Sequence, residues 1–192
     1  LKTSRKTFFI LGLITLFGFG SIGILIVHFF QKTGLNYLFS FGAEWTYQIY
    51  RGVLFGSIAA LNMLWLIETP WLKEAKYFFS HLIDGAKLQL IDIIFLSAAA
   101  GIGEELFFRA GIQAFLGIWF TSVLFIVLHG YLNPKNKQIL LYGTLMVVVS
   151  AGLGYLFKYI GLYAAMTAHF SIDLILFIKF RYFTNLRNTY PD

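Results

Sequence analysis

Apolar residues in this chain fall in blocks of about twenty, separated by short polar clusters, rather than alternating or recurring every third or fourth position. A helix needs ~20 predominantly apolar residues to cross a ~30 Å hydrocarbon layer, so each block predicts a span. The first span is expected over 8–30 and the second over 49–67, closed by Glu68, Thr69 and Pro70. Residues 71–83 differ, because Trp71, Leu72, Ala75, Phe78, Phe79 and Leu82 share one helical face while Lys73, Glu74, Lys76 and His81 lie elsewhere. That pattern predicts a helix lying in the membrane interface. Further spans are expected over 88–116, which is overlong, 117–132, 138–157 and 161–180. The predicted fold class is all-α, a polytopic membrane helical bundle of six transmembrane helices plus one interfacial amphipathic helix.

Composition agrees with the pattern and narrows it. The 192 residues are 58% hydrophobic and 12% charged, with 22 phenylalanines, against roughly 25% charged in soluble domains. The first apolar run resembles a signal peptide only at its start: it is too long, and no small-residue cleavage site follows. No repeat is evident. The absence of cysteine excludes disulfides, thiolate metal sites and cysteine nucleophiles. The net charge of +6 does not predict a nucleic-acid partner, because the basic residues sit in loops that alternate with the spans. With the N-terminus inside, the cytoplasmic loops hold Lys2, Arg5, Lys6, Lys73, Lys76, Lys87, Lys135, Lys137, Lys179, Arg181 and Arg187, and the outer loops hold Lys32, Arg51 and Lys158. This asymmetry predicts both termini in the cytoplasm.

Charges inside the spans are the exception that points to chemistry. Glu104, Glu105 and Arg109 lie within an apolar run, as do His129, His169 and Asp173, and an ionisable side chain at such depth is a functional candidate. The uncharged turn expected near Gly117 allows their depths to be compared. Glu104 precedes it and His129 follows it by nearly equal lengths, so both lie roughly 18 to 20 Å below the outer end at 1.5 Å rise per residue. His169 and Asp173, about 12 and 18 Å down from the start of the last span, reach the same layer. Glu105 and Arg109 are four apart and can pair, whereas Glu104 lies about 100° around the helix. Glu105 is thus expected to be committed to structure, and Glu104 to be free as a general base. Small residues Ser97, Ala98, Ala99, Ala100, Gly101 and Gly103 are expected to admit a close neighbouring helix.

The stretches Glu104-Glu105-Leu-Phe-Phe-Arg109, Phe125-Ile-Val-Leu-His129 and His169-Phe-Ser-Ile-Asp173 resemble, in order and spacing, the motifs of the CAAX protease and bacteriocin-processing family, also called Abi. This family of glutamate-type intramembrane proteases includes the prenyl-protein endopeptidases. The resemblance covers about 88–180. It implies an intramembrane endopeptidase in which Glu104 and His129 activate a water while His169 and Asp173 stabilise the oxyanion. Glu105, Arg109 and Phe125 would support the site. Asparagine is the usual residue where this chain has Asp173, and an ionised aspartate cannot donate a hydrogen bond. Asp173 therefore either carries a proton or orients His169. Ala110 stands where the family commonly has glycine.

The resemblance implies no metal and no other cofactor, a membrane-associated peptide or protein as substrate, the lipid bilayer as surroundings, and no nucleic acid. Candidate substrates are a C-terminal sorting tag, a prenylated protein or an exported peptide. The short chain is similar to prokaryotic members, placing it as a multi-pass protein of the cytoplasmic membrane. The expected organisation is 1–87 for two spans and the interfacial helix, 88–180 for a four-helix catalytic core, and 181–192 for a cytoplasmic tail. Two alternatives stand beside this reading: a zinc-dependent protease using the same residues, and a non-catalytic immunity or scaffold protein. A coupled transporter is disfavoured by the lack of matching repeats. His28 and His81 are expected to be boundary residues, and Asn62 to bridge two helices.

Overall fold

The computed structural model describes residues 4–31 and 34–183, and every regular element among them is helical. Helix α1 (Arg5–Gln31) is followed by the short α2 (Leu35–Ser40) and the spanning α3 (Trp45–Ile67). A turn of 3-10 helix (Pro70–Leu72) leads into α4 (Lys73–Ala86). The next apolar run, Leu90–Leu128, is 39 residues long and breaks at Gly117, whose φ of 72° and ψ of 174° are not helical. It therefore forms two limbs, α5 (90–116) and α6 (118–128). They fold back on each other, since Glu104 and His129, on either side of the break, lie 3.7 Å apart. Helices α7 (Lys137–Tyr159) and α8 (Leu162–Phe183) complete the bundle. Among the described residues, five helices are long and apolar enough to cross a membrane, as in a multi-pass integral membrane protein, and the one folded back at Gly117 brings the bundle roughly to the six spans expected.

The helices begin where side chains can satisfy their free N–H groups. The Ser4 hydroxyl accepts from Thr7 N–H at the start of α1, and Asn136 accepts from Gln138 and Ile139 at the start of α7. Gln89 and Asp92 form a reciprocal capping box at α5. Their outward faces are apolar: Phe17, Trp65 and Phe120 are 65%, 70% and 76% exposed, a surface suited to lipid and not to water.

Helix α8 is central, packing on α3, α5 and α7. Its closest partner is α3, where Gly52 and Gly56 bring the two backbones together. A Cβ at Gly52 would sit 2.4 Å from the Ala164 carbonyl oxygen, and one at Gly56 2.3 Å from that of Ala168. This is glycine-mediated helix packing, with small residues on both partners. On the other flank, a Cβ at Gly101 would meet the Met166 carbonyl oxygen of α8 at 2.8 Å, and one at Gly103 the Thr15 oxygen of α1 at 2.1 Å. The small residues before Glu104 therefore do admit close neighbours, one on each side.

One end of the bundle gathers the charges. Arg5 pairs with Asp92 at 2.6 Å, Arg181 with Asp84 at 3.0 Å, and Glu68 with both Lys76 and, at 3.3 Å, Lys179. Helix α4 and the 3-10 turn before it close this end, burying Leu72, Ala75, Phe79, Ile83 and Ala86 against the core while Trp71 and Phe78 point outward. The inner stripe is thus offset from the expected face. Asn62 corrects another expectation: its amide donates to Ile58 O, 2.8 Å away on its own helix, and the side chain is exposed. Its amide is thus satisfied along its own helix. His28 and His81 lie away from the polar layer, against Phe29 and Tyr77. Residues 181–183 of the expected tail continue α8, and 184–192 lie outside the described residues.

Candidate functional site

Within the bundle, α5, α6 and α8 each turn polar side chains into one layer. Helix α5 widens to π-helical turns over Glu105–Ile112, a local irregularity frequent at functional sites. Glu105 and Arg109 are wholly buried and joined by a 3.1 Å bond from Nε to Oε2. The other Glu105 oxygen lies 2.8 Å from His169 Nδ1. Glu105 is therefore shared between a guanidinium on its own helix and an imidazole on α8. The pairing with Arg109 follows the expected four-residue spacing, whereas the contact with His169 is a tertiary one that spacing cannot foretell.

Glu104 points the other way. Its Oε2 lies 3.7 Å from His129 Nε2 and 3.8 Å from His169 Nε2, and no described side chain hydrogen-bonds to it. These separations exceed a direct hydrogen bond, so the three groups surround a common point instead of closing on one another. Asp173 Oδ2 approaches the same His169 Nε2 at 3.6 Å. The structure thus brings Glu104, His129, His169 and Asp173 together, with Glu105 and Arg109 behind them. Phe125 packs between the two histidines, 4.4 Å from the His129 ring and 5.7 Å from that of His169, with the Arg109 guanidinium 5.5 Å from its centre.

The hydrogen bonds assign the ring nitrogens. His129 Nδ1 lies 2.8 Å from the Phe125 carbonyl oxygen, which can only accept, so Nδ1 carries the hydrogen. In the neutral ring, Nε2 then presents a lone pair toward Glu104. In His169, Nδ1 gives its hydrogen to the Glu105 carboxylate, and Nε2 faces Glu104 and Asp173. Glu104, His129, His169 and Asp173 border a cavity of about 390 Å³ whose remaining wall is mostly apolar, including Phe8, Leu11, Phe79, Leu176 and Phe177. A carboxylate and an imidazole lone pair beside a proton-bearing imidazole in a largely apolar cavity can polarise and deprotonate a small nucleophile. Among the described residues, no three histidine, aspartate or glutamate side chains converge in the geometry of a metal site.

The motifs do not contain one participant. Ser150, on α7, lies 2.8 Å from Arg109 Nη2 and is itself buried. A buried guanidinium needs more acceptors than one carboxylate oxygen, and Ser150 is a lone hydroxyl between Val149 and Ala151. Those two facts were its only signal.

Residues 86–175 match the model of a family described as "Type II CAAX prenyl endopeptidase Rce1-like". The matched region holds Glu104 through Arg109, Phe125 through His129, and His169 through Asp173. A relative from Bacillus subtilis (strain 168), "Uncharacterized protein YpbD", is 33% identical over 116 residues, which are 56% of this chain and 59% of the relative. The aligned part thus spans less than two thirds of that protein. No solved structure matches the chain.

Proposed function

We propose that this chain, whose residues 86–175 belong to the Rce1-like family of type II CAAX prenyl endopeptidases, hydrolyses a peptide bond of a membrane-associated substrate with a water activated by Glu104 and His129. The observation that carries this reading is the convergence of Glu104 Oε2 on both imidazole Nε2 atoms, at 3.7 and 3.8 Å, from three separate helices lining one cavity. A water between the Glu104 carboxylate and His129 Nε2 donates a hydrogen bond to each, which leaves its lone pair for the scissile carbonyl carbon. One water proton passes to Glu104 as the C–O bond forms. His169 Nε2 faces the developing oxyanion. Because its Nδ1 hydrogen is held by Glu105, it donates there as an imidazolium, and Glu105 and Asp173 supply the compensating negative charge. On collapse the C–N bond breaks, and the proton on Glu104 passes to the departing amine.

Glu105, Arg109 and Phe125 support the site in this reading, and the catalytic core is 88–180. Substrate candidates are a C-terminal tag, a prenylated protein or an exported peptide. Both termini face the cytoplasm, in keeping with the charged end of the bundle and the loop asymmetry.

Cleavage of a quenched membrane-peptide library by detergent-purified protein tests the proposal, using wild type and Glu104→Gln, each with and without chelator. Removing the general base is expected to lower kcat by about 10²- to 10⁴-fold, and chelator is expected to have no effect. Activity abolished by chelator and restored by zinc would move the same residues to a metal centre. A Glu104→Gln variant as active as wild type would reject the mechanism.

A further inference from the structure

Arg109 offers its buried carboxylate partner an asymmetric hand. A guanidinium can grip a carboxylate through Nε–H and Nη2–H together, one donor to each oxygen. Here only Nε bonds Glu105, at Oε2, while Nη2 lies 2.8 Å from Ser150 Oγ. The second oxygen, Oε1, lies 2.8 Å from His169 Nδ1. Ser150 thus occupies the donor that would complete the two-pronged grip, and Glu105 keeps an oxygen for the imidazole. All four groups are buried: Glu105 and Arg109 are 0% exposed, Ser150 2% and His169 6%.

We infer that Ser150 is a positioning residue of the hydrolytic site, which holds Arg109 to a single bond with Glu105 and so reserves Glu105 Oε1 for His169 Nδ1. The inference rests on the function proposed above. Removing the hydroxyl leaves Nη2 in a water-poor interior, where a donor without an acceptor is costly. Among the described residues Arg109 Nη1 already has no hydrogen-bond partner, so a second orphan on the same group drives Nη2 toward the other oxygen of the carboxylate it already binds, Oε1. His169 then loses the bond that fixes its ring, and Nε2 turns from the point it shares with Glu104 and Asp173. Nothing in this chain of contacts requires Ser150 to touch substrate.

The test reads His169 directly and activity separately. Protein carrying ¹⁵N-labelled histidine, with the His169 signals assigned by their loss in His169→Gln, is compared as wild type, Ser150→Ala and Ser150→Thr in lipid nanodiscs, all at matched melting temperature. The expected result is a hydrogen-bonded Nδ1–H in wild type and Ser150→Thr, and a displaced or rapidly exchanging one in Ser150→Ala. With a cleavable peptide, kcat of Ser150→Ala falls on the order of 10- to 100-fold from misplacement, KM stays near wild type, and threonine restores kcat. A His169 signal that does not move in Ser150→Ala, or that moves equally in Ser150→Thr, overturns the inference. If no variant cleaves any peptide, the proposed function fails, and the histidine spectra still decide the role of Ser150.

Discussion

Replacing Arg109 by methionine removes the cation from a pair that has no access to solvent. Both side chains are 0% exposed, so the Glu105 carboxylate left behind keeps only the His169 bond at 2.8 Å and cannot be rescued by water. Breaking one side of a buried ion pair costs about 3 to 5 kcal/mol, because the remaining charge is stranded. At about 1.4 kcal/mol per decade, that is roughly a 10²- to 10⁴-fold loss in the folding equilibrium. The double variant Glu105→Gln/Arg109→Met strands no charge, and its stability is expected to return to within about 2 kcal/mol of wild type. Activity does not return, since the carboxylate that steadies His169 is gone. Reversible unfolding in mixed micelles, followed by tryptophan fluorescence, measures both variants, with peptide cleavage run alongside. A single variant as stable as wild type, or a double variant as unstable as the single, would refute the assignment of Arg109 as the neutralising partner of a buried carboxylate.

Three further perturbations probe the frame around the site. Gly56→Val places a Cβ 2.3 Å from the Ala168 carbonyl oxygen, a backbone atom that cannot step aside; it is expected to cost about 1 to 3 kcal/mol. Gly85→Ala, with nothing within 4 Å of the added carbon, should leave the melting temperature unchanged or slightly raised, and equal losses for the two would contradict the packing described. The Glu68 carboxyl is pushed up by partial burial, but its bonds to Lys76 and Lys179 outweigh this and hold it below the ordinary value of 4.5. A depressed folded value means that its stabilisation is complete above the unfolded value and lost as pH falls through the folded one. The melting difference between wild type and Glu68→Gln is therefore expected to persist from pH 7 down to about pH 4.5 and to vanish below. It will be small for a side chain 43% exposed, and a difference that grew on acidification would contradict the pairing.

The depth argument was legible because helical rise is fixed and Gly117 is the only break in a 39-residue apolar run. Counting outward from that turn placed Glu104 beside His129, and the structure sets them 3.7 Å apart. Four-residue spacing likewise anticipated Glu105 with Arg109. What periodicity cannot convey is which helix faces which. Ser150 carries no spacing signal, and the second partner of Glu105 is 64 residues distant. Asn62 was expected to join two helices because a polar residue in a span needs a partner, yet its own helix supplied one. The Gly52 and Gly56 pair was readable in principle as Gly-x-x-x-Gly, with Ala164 and Ala168 as its counterpart. The inward stripe of α4 is not fixed by its sequence, because Trp71 and Phe78 are apolar enough for either a core or an interface, and both are exposed.

The division of the polar residues between a hairpin and a later helix bears on how the protein is made. Glu104 and Arg109 lie on α5 and His129 caps the C-terminal end of α6; the two helices are neighbours in the chain and can pair as soon as both have entered the bilayer. His169 and Asp173 arrive only with α8, which follows every other described helix. During synthesis, then, Glu104 and His129 can meet before His169 and Asp173 have entered the bilayer. On the function proposed above, the centre therefore stays incomplete until α8 has docked on Gly52 and Gly56.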